Sequence, residues 1–65
     1  MQQIKDIKNN TICLLNKDTG QVQMKYKGLT TEFIIPIGSF IKVERNHTIT
    51  YIHHTNKDEY EINYE

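Results

Sequence analysis

The chain predicts an all-β fold, a small antiparallel meander of five to six strands forming a curled sheet or a small barrel. Three observations carry that expectation. Alanine, the best helix former, is absent while Ile, Thr and Tyr are plentiful. Apolar and polar residues alternate with period two over Val22, Met24 and Tyr26, and again over Tyr60, Ile62 and Tyr64. Between these runs stand groups of Asn, Asp and Gly, the residues that tight turns need.

Taken in order, Ile4 and Ile7 have a spacing that fits either one helical turn or a bulged first strand, and both readings stay open. Thr11 to Leu15 is a β run. Asn16-Lys17-Asp18-Thr19-Gly20 then closes a hairpin, with Asn and Asp suited to a type I turn and Gly20 free to take positive φ. In the strand from Gln21 to Lys27, Val22, Met24 and Tyr26 face a core and the residues between them face outwards. Gly28-Leu29-Thr30 connects it to the next strand. After Thr48 to His54 comes the polar turn Thr55-Asn56-Lys57-Asp58, and then a last strand in which Tyr60, Ile62 and Tyr64 alternate with Glu59, Glu61, Asn63 and Glu65.

The stretch from Glu32 to Val43 is the most informative. With Gly38-Ser39 as a type II′ turn it reads as a hairpin in which Ile37 opposes Phe40, Ile35 opposes Lys42 and Ile34 opposes Val43. One face then carries Ile34, Pro36, Ile41 and Val43. The other carries Phe33, Ile35, Ile37 and Phe40, rimmed by Lys42 and Glu44. An apolar centre within a charged rim is the anatomy of a protein contact surface, so these six residues are the candidate interface. The competing reading puts both clusters inside a closed barrel. Pro36 cannot donate to a ladder and places its strand at an edge or a bulge. The turn at Arg45-Asn46-His47 allows two or three residues, and the longer loop is favoured because it matches Val43 with Ile49 and Tyr51.

Sixty-five residues make one domain with a marginal core, for which self-association is a common remedy, and the expectation is a homodimer joined through the apolar hairpin. Cys13 is the only cysteine, so no intrachain disulfide supplies the missing stability. With neither a secretory leader pattern nor an apolar membrane span to read, the expected location is cytoplasmic. Net charge is zero but unevenly placed: Lys and Arg outnumber Asp and Glu seven to four up to Arg45, and beyond it one basic residue meets four acidic ones.

Chemistry finds little support. His53 and His54 are adjacent on a strand and point to opposite faces, while His47 and His53 stand about 20 Å apart along it. No metal or cofactor is expected. Ser39, the only serine, sits in a turn, and nothing around Cys13 would lower its thiol pKa, so the chain is read as a non-enzyme. Two functions remain. The first is a protein-binding module that occupies a partner's surface, on the scale of the small inhibitors or accessory factors that mobile genetic elements encode. The alternative is a nucleic-acid-binding β-barrel using Lys25, Lys27, Lys42 and Arg45. Against it, Tyr26, Tyr60 and Tyr64 all fall on core parity and leave no stacking platform beside the lysines.

Overall fold

Hairpin chemistry dominates the architecture. The computed structural model describes all 65 residues. It contains seven strands and no helix: β1 (Gln2–Lys5), β2 (Thr11–Asn16), β3 (Gln21–Tyr26), β4 (Leu29–Ile34), β5 (Phe40–Arg45), β6 (Thr48–Asn56) and β7 (Glu59–Tyr64). They form two antiparallel meanders, β1-β2-β3-β4 and β5-β6-β7, which do not close into a barrel. Every sequence-adjacent pair is a hairpin except β4 and β5, which lie in different sheets.

The turns follow the residues that tolerate positive φ. Gly20 has φ 76° and donates to Asn16 O at 2.8 Å, while the Asp18 amide is held by Asn16 Oδ1 at 3.0 Å. Lys27 and Gly28, with φ of 50° and 82°, form a two-residue link, so Leu29 and Thr30 belong to β4 and not to the connection expected there. Ile4 lies in a strand and not in a helical turn, but that strand ends at Lys5, the register shift leaves Ile12 of β2 as the extra residue, and Ile7 is exposed in the turn that follows.

Two expectations about register are overturned. Residues 32–43 are not one hairpin, because the chain leaves the first sheet after Ile34 and enters the second at Phe40. Pro36 removes a donor where pairing would have continued, and Ser39 N–H donates to Pro36 O at 3.0 Å, making Ile37 and Gly38 the central pair. Gly38, with φ 89°, therefore takes the second central position of a type II turn and not the first of a type II′ turn. The pairings Ile37 with Phe40, Ile35 with Lys42 and Ile34 with Val43 do not form. The second correction is the β5–β6 loop. Arg45 pairs with Thr48 around two residues, Asn46 and His47, both at positive φ (54° and 60°) as a type I′ turn requires. Thr48, Thr50 and Ile52 consequently share the face of Val43, and Ile49 and Tyr51 face outwards.

The two sheets share one core of Ile4, Ile12, Cys13, Leu15, Val22, Ile35, Val43 and Ile52, with Met24, Phe33, Ile41, Tyr60 and Ile62 packed against it. Burial of these apolar side chains is the main stabilising term. Hydrogen bonds stitch the sheets together: Arg45 Nη1 donates to Ile12 O (3.2 Å), Tyr64 Oη to Lys5 O (3.3 Å) and Lys8 Nζ to Asn46 O (3.1 Å). The β4–β5 connection is held as firmly. Ile35 N–H donates to Gly20 O, Gly38 N–H to His54 O and His54 N–H to Ser39 O, at 3.1, 2.7 and 3.0 Å.

Candidate functional site

The outer face of β5-β6-β7 gathers side chains that have no structural duty in the core. Alternation along each strand and the observed register arrange them in rows: Phe40, His53 and Glu61 lie side by side, then Lys42, Tyr51 and Asn63, then Glu44 beside Ile49. Phe40 stacks on His53 with ring centroids 5.1 Å apart, and Tyr51 stands 6.2 Å from Phe40 and 6.3 Å from His53. Contacts of this kind add about 0.5–1.5 kcal/mol per pair to simple area burial. Phe40 remains 57% exposed.

Charged side chains ring the trio and are themselves fixed. Lys42 Nζ meets Glu44 Oε1 at 3.1 Å, and that hydrogen bond raises the Lys42 pKa. Tyr51 Oη donates to Glu65 Oε2 at 2.7 Å, which likewise raises the phenol pKa. Lys42 thus has its charge taken up by Glu44, while Glu61 and Glu65 leave the rim acidic on the β7 side.

The six residues expected to form one contact surface separate. Phe40, Lys42 and Glu44 lie together on this outer face. Phe33 pairs with Val22 and packs on the core, Ile35 is 1% exposed within it, and Ile37 projects from the intersheet connection. The sequence reading missed Ile49, Tyr51 and His53. The signal was present in the Asn46-His47 pair: a two-residue loop brings those three onto the face of Phe40.

Of the four basic residues of the alternative reading, Lys25, Lys27 and Arg45 gather at the end of β3 and Lys42 stands apart. Lys42 is ion-paired on the aromatic face. Lys27 and Arg45 instead flank Tyr26, with Lys27 Nζ 5.4 Å and Arg45 Cζ 5.0 Å from the ring centroid. Lys25 lies one residue away on β3, and it lines a shallow cleft with Arg45. Tyr26 is 58% exposed, so its expected place in the core is wrong: its ring lies beside Arg45 and lines an open cleft with the β5–β6 turn. Tyr64 is exposed too, whereas Tyr60 packs against the core and stacks on His54 at 4.2 Å.

His54 points inwards and His53 outwards, as adjacency on a strand dictates. The Ile35 carbonyl can only accept, so His54 Nδ1 is the donor in their 2.7 Å hydrogen bond, and the ring serves to anchor the connection. Cys13 is buried, and desolvation pushes its thiol up to about 11, leaving it an inert core residue. Comparison with protein-family models, with curated proteins and with solved structures finds no match.

Proposed function

We propose that the protein is a non-catalytic binding module that acts by occupying a partner protein's surface with the outer face of β5-β6-β7. The observation that carries this is the trio Phe40, Tyr51 and His53, gathered on the outer face of the sheet within a charged rim, with Phe40 exposed and Tyr51 and His53 half-buried beside it. Aromatic residues at the centre and ionic ones at the edge match the composition of protein interfaces, and rings already stacked lose little further conformational freedom on binding. The rim specifies the partner's chemistry. Glu44, Glu61 and Glu65 outnumber Lys42, so the complementary surface carries an apolar pocket bordered by Lys or Arg. Such binding suits a small inhibitor or accessory factor working in a reducing compartment, where the single free thiol is harmless.

A photoactivatable aromatic residue placed at Phe40 and, separately, at Gln23 on the outer face of the other sheet tests this in extract of the source cells. The proposal expects one discrete protein adduct from position 40 and none from position 23. Equal labelling at both, or labelling at 23 alone, would exclude the face.

One observation favours a second reading. Tyr26 flanked by Lys27 and Arg45 is an exposed aromatic with adjacent cations, the pairing that single-stranded nucleic acid uses. This reading requires binding to a labelled oligonucleotide that collapses as salt is added. The protein-binding reading requires no such binding at physiological salt.

A further inference from the structure

Four strands lie at sheet edges, and three of them are protected against pairing with another chain. β5 carries Lys42, Glu44 and Arg45, β7 carries Glu59 and Glu61, and β1 is only four residues long and is tethered from Tyr64 Oη to Lys5 O. β4 has none of these devices. Its six residues, Leu29 to Ile34, pair with β3 without a register shift and contain no proline and one charge, Glu32. Both Glu32 oxygens are drawn back over the strand's own sheet by Gln21 (2.8 Å) and Gln23 (3.2 Å). Leu29, although it has the inward parity of Phe33, is 74% exposed.

The hairpin fixes which backbone groups are free. In a two-residue loop the flanking residues Tyr26 and Leu29 form a hydrogen-bonded pair, so Leu29, Thr31 and Phe33 turn their amides and carbonyls towards β3. Thr30, Glu32 and Ile34 turn theirs towards open solvent. We infer that β4 pairs antiparallel with β4 of a second copy of this chain, about a two-fold axis through Thr31. This is independent of the aromatic face.

That register is self-complementary. Thr30 of each copy meets Glu32 of the other as a hydrogen-bonded pair, making four backbone hydrogen bonds and opposing no like charges. Leu29 of each copy meets the partner's Phe33, covering the most exposed large apolar side chain of the strand. Moving the axis one residue on, to Glu32, would set the two carboxylates directly against each other. The two four-stranded sheets become one continuous sheet of eight, closing the open edge.

Thr31→Cys tests the pairing at its axis. The two Thr31 positions form a non-hydrogen-bonded pair, where Cα atoms stand about 4.5 Å apart, within reach of a disulfide. Mild oxidation of this variant should give a covalent dimer at micromolar concentration, with Cys13 unreacted because it is buried with a thiol pKa of about 11. Leu29→Cys, which has no self-partner across the axis, should cross-link far more slowly. Thr30→Pro removes an amide that points away from β3, so it should stay folded and sediment at the monomer mass of 7.7 kDa. Wild-type protein sedimenting only as monomer at those concentrations would overturn the inference, as would Leu29→Cys cross-linking as fast as Thr31→Cys.

Discussion

Asp6 and Thr50 show how single side chains decide this fold. The Asp6 carboxylate is buried at the end of the core, where Oδ1 accepts from the amides of Lys8 and Asn10, each at 2.9 Å, and Oδ2 from Asn46 Nδ2 at 3.3 Å across to the other sheet. The Asn10 amide is the largest cause holding its pKa below the ordinary value of 3.8. A carboxylate with a depressed folded pKa contributes stability fully above its unfolded pKa and loses it as pH falls through the folded one. Melting temperature should therefore drop on acidification below 3.8, and more steeply than in Asp6→Asn, which should melt several degrees lower at neutral pH. Thr50 makes the opposite case. Its Oγ1 is fully buried without a partner, so Thr50→Val, which keeps the β-branched shape, should raise unfolding stability by about 1 kcal/mol in urea titrations. That burial was hard to read from sequence. Matching Val43 with apolar neighbours argued for Ile49 and Tyr51, but the Asn46-His47 turn imposes the register and Thr50 pays the desolvation.

At the scale of elements, period-two alternation and turn chemistry made most strands legible. β2, β3, β6 and β7 lie where Asn, Asp and Gly clusters bracket alternating runs, with ends shifted by a residue or two. What alternation could not show is that the chain changes sheet between Ile34 and Phe40. Apolar residues on both sides of Gly38 look the same whether they flank a hairpin or an intersheet crossing, and the difference lies in long-range contacts. Gly20, near in space though distant in sequence, accepts from Ile35 N–H, and a Cβ added there would lie 3.1 Å from both Ile35 O and Tyr60 Oη. Gly20→Ala combines this crowding with a left-handed backbone and should cost about 1–2 kcal/mol or more. Ile35→Lys, which a solvent-facing hairpin would tolerate in the monomer, should instead abolish cooperative melting, because it places a charge in the shared core.

As a whole, the molecule spends its apolar residues on one thin core and leaves two distinct surfaces, the aromatic face of β5-β6-β7 and the bare edge of β4. Half of the candidate site was legible, since Phe40, Lys42 and Glu44 are where a single strand's parity puts them. Ile49, Tyr51 and His53 join them only through the β5–β6 register. Pairing through β4 would present two aromatic faces on one assembly and so favour a partner with repeated sites. Amide resonances of isotopically labelled protein, followed as source-cell extract is added, test the binding face most directly. Line broadening should concentrate at Phe40, Lys42, Tyr51, His53 and Glu61 and be abolished by Phe40→Ser; broadening centred on Tyr26, Lys27 and Arg45 and unaffected by Phe40→Ser would contradict binding through this face.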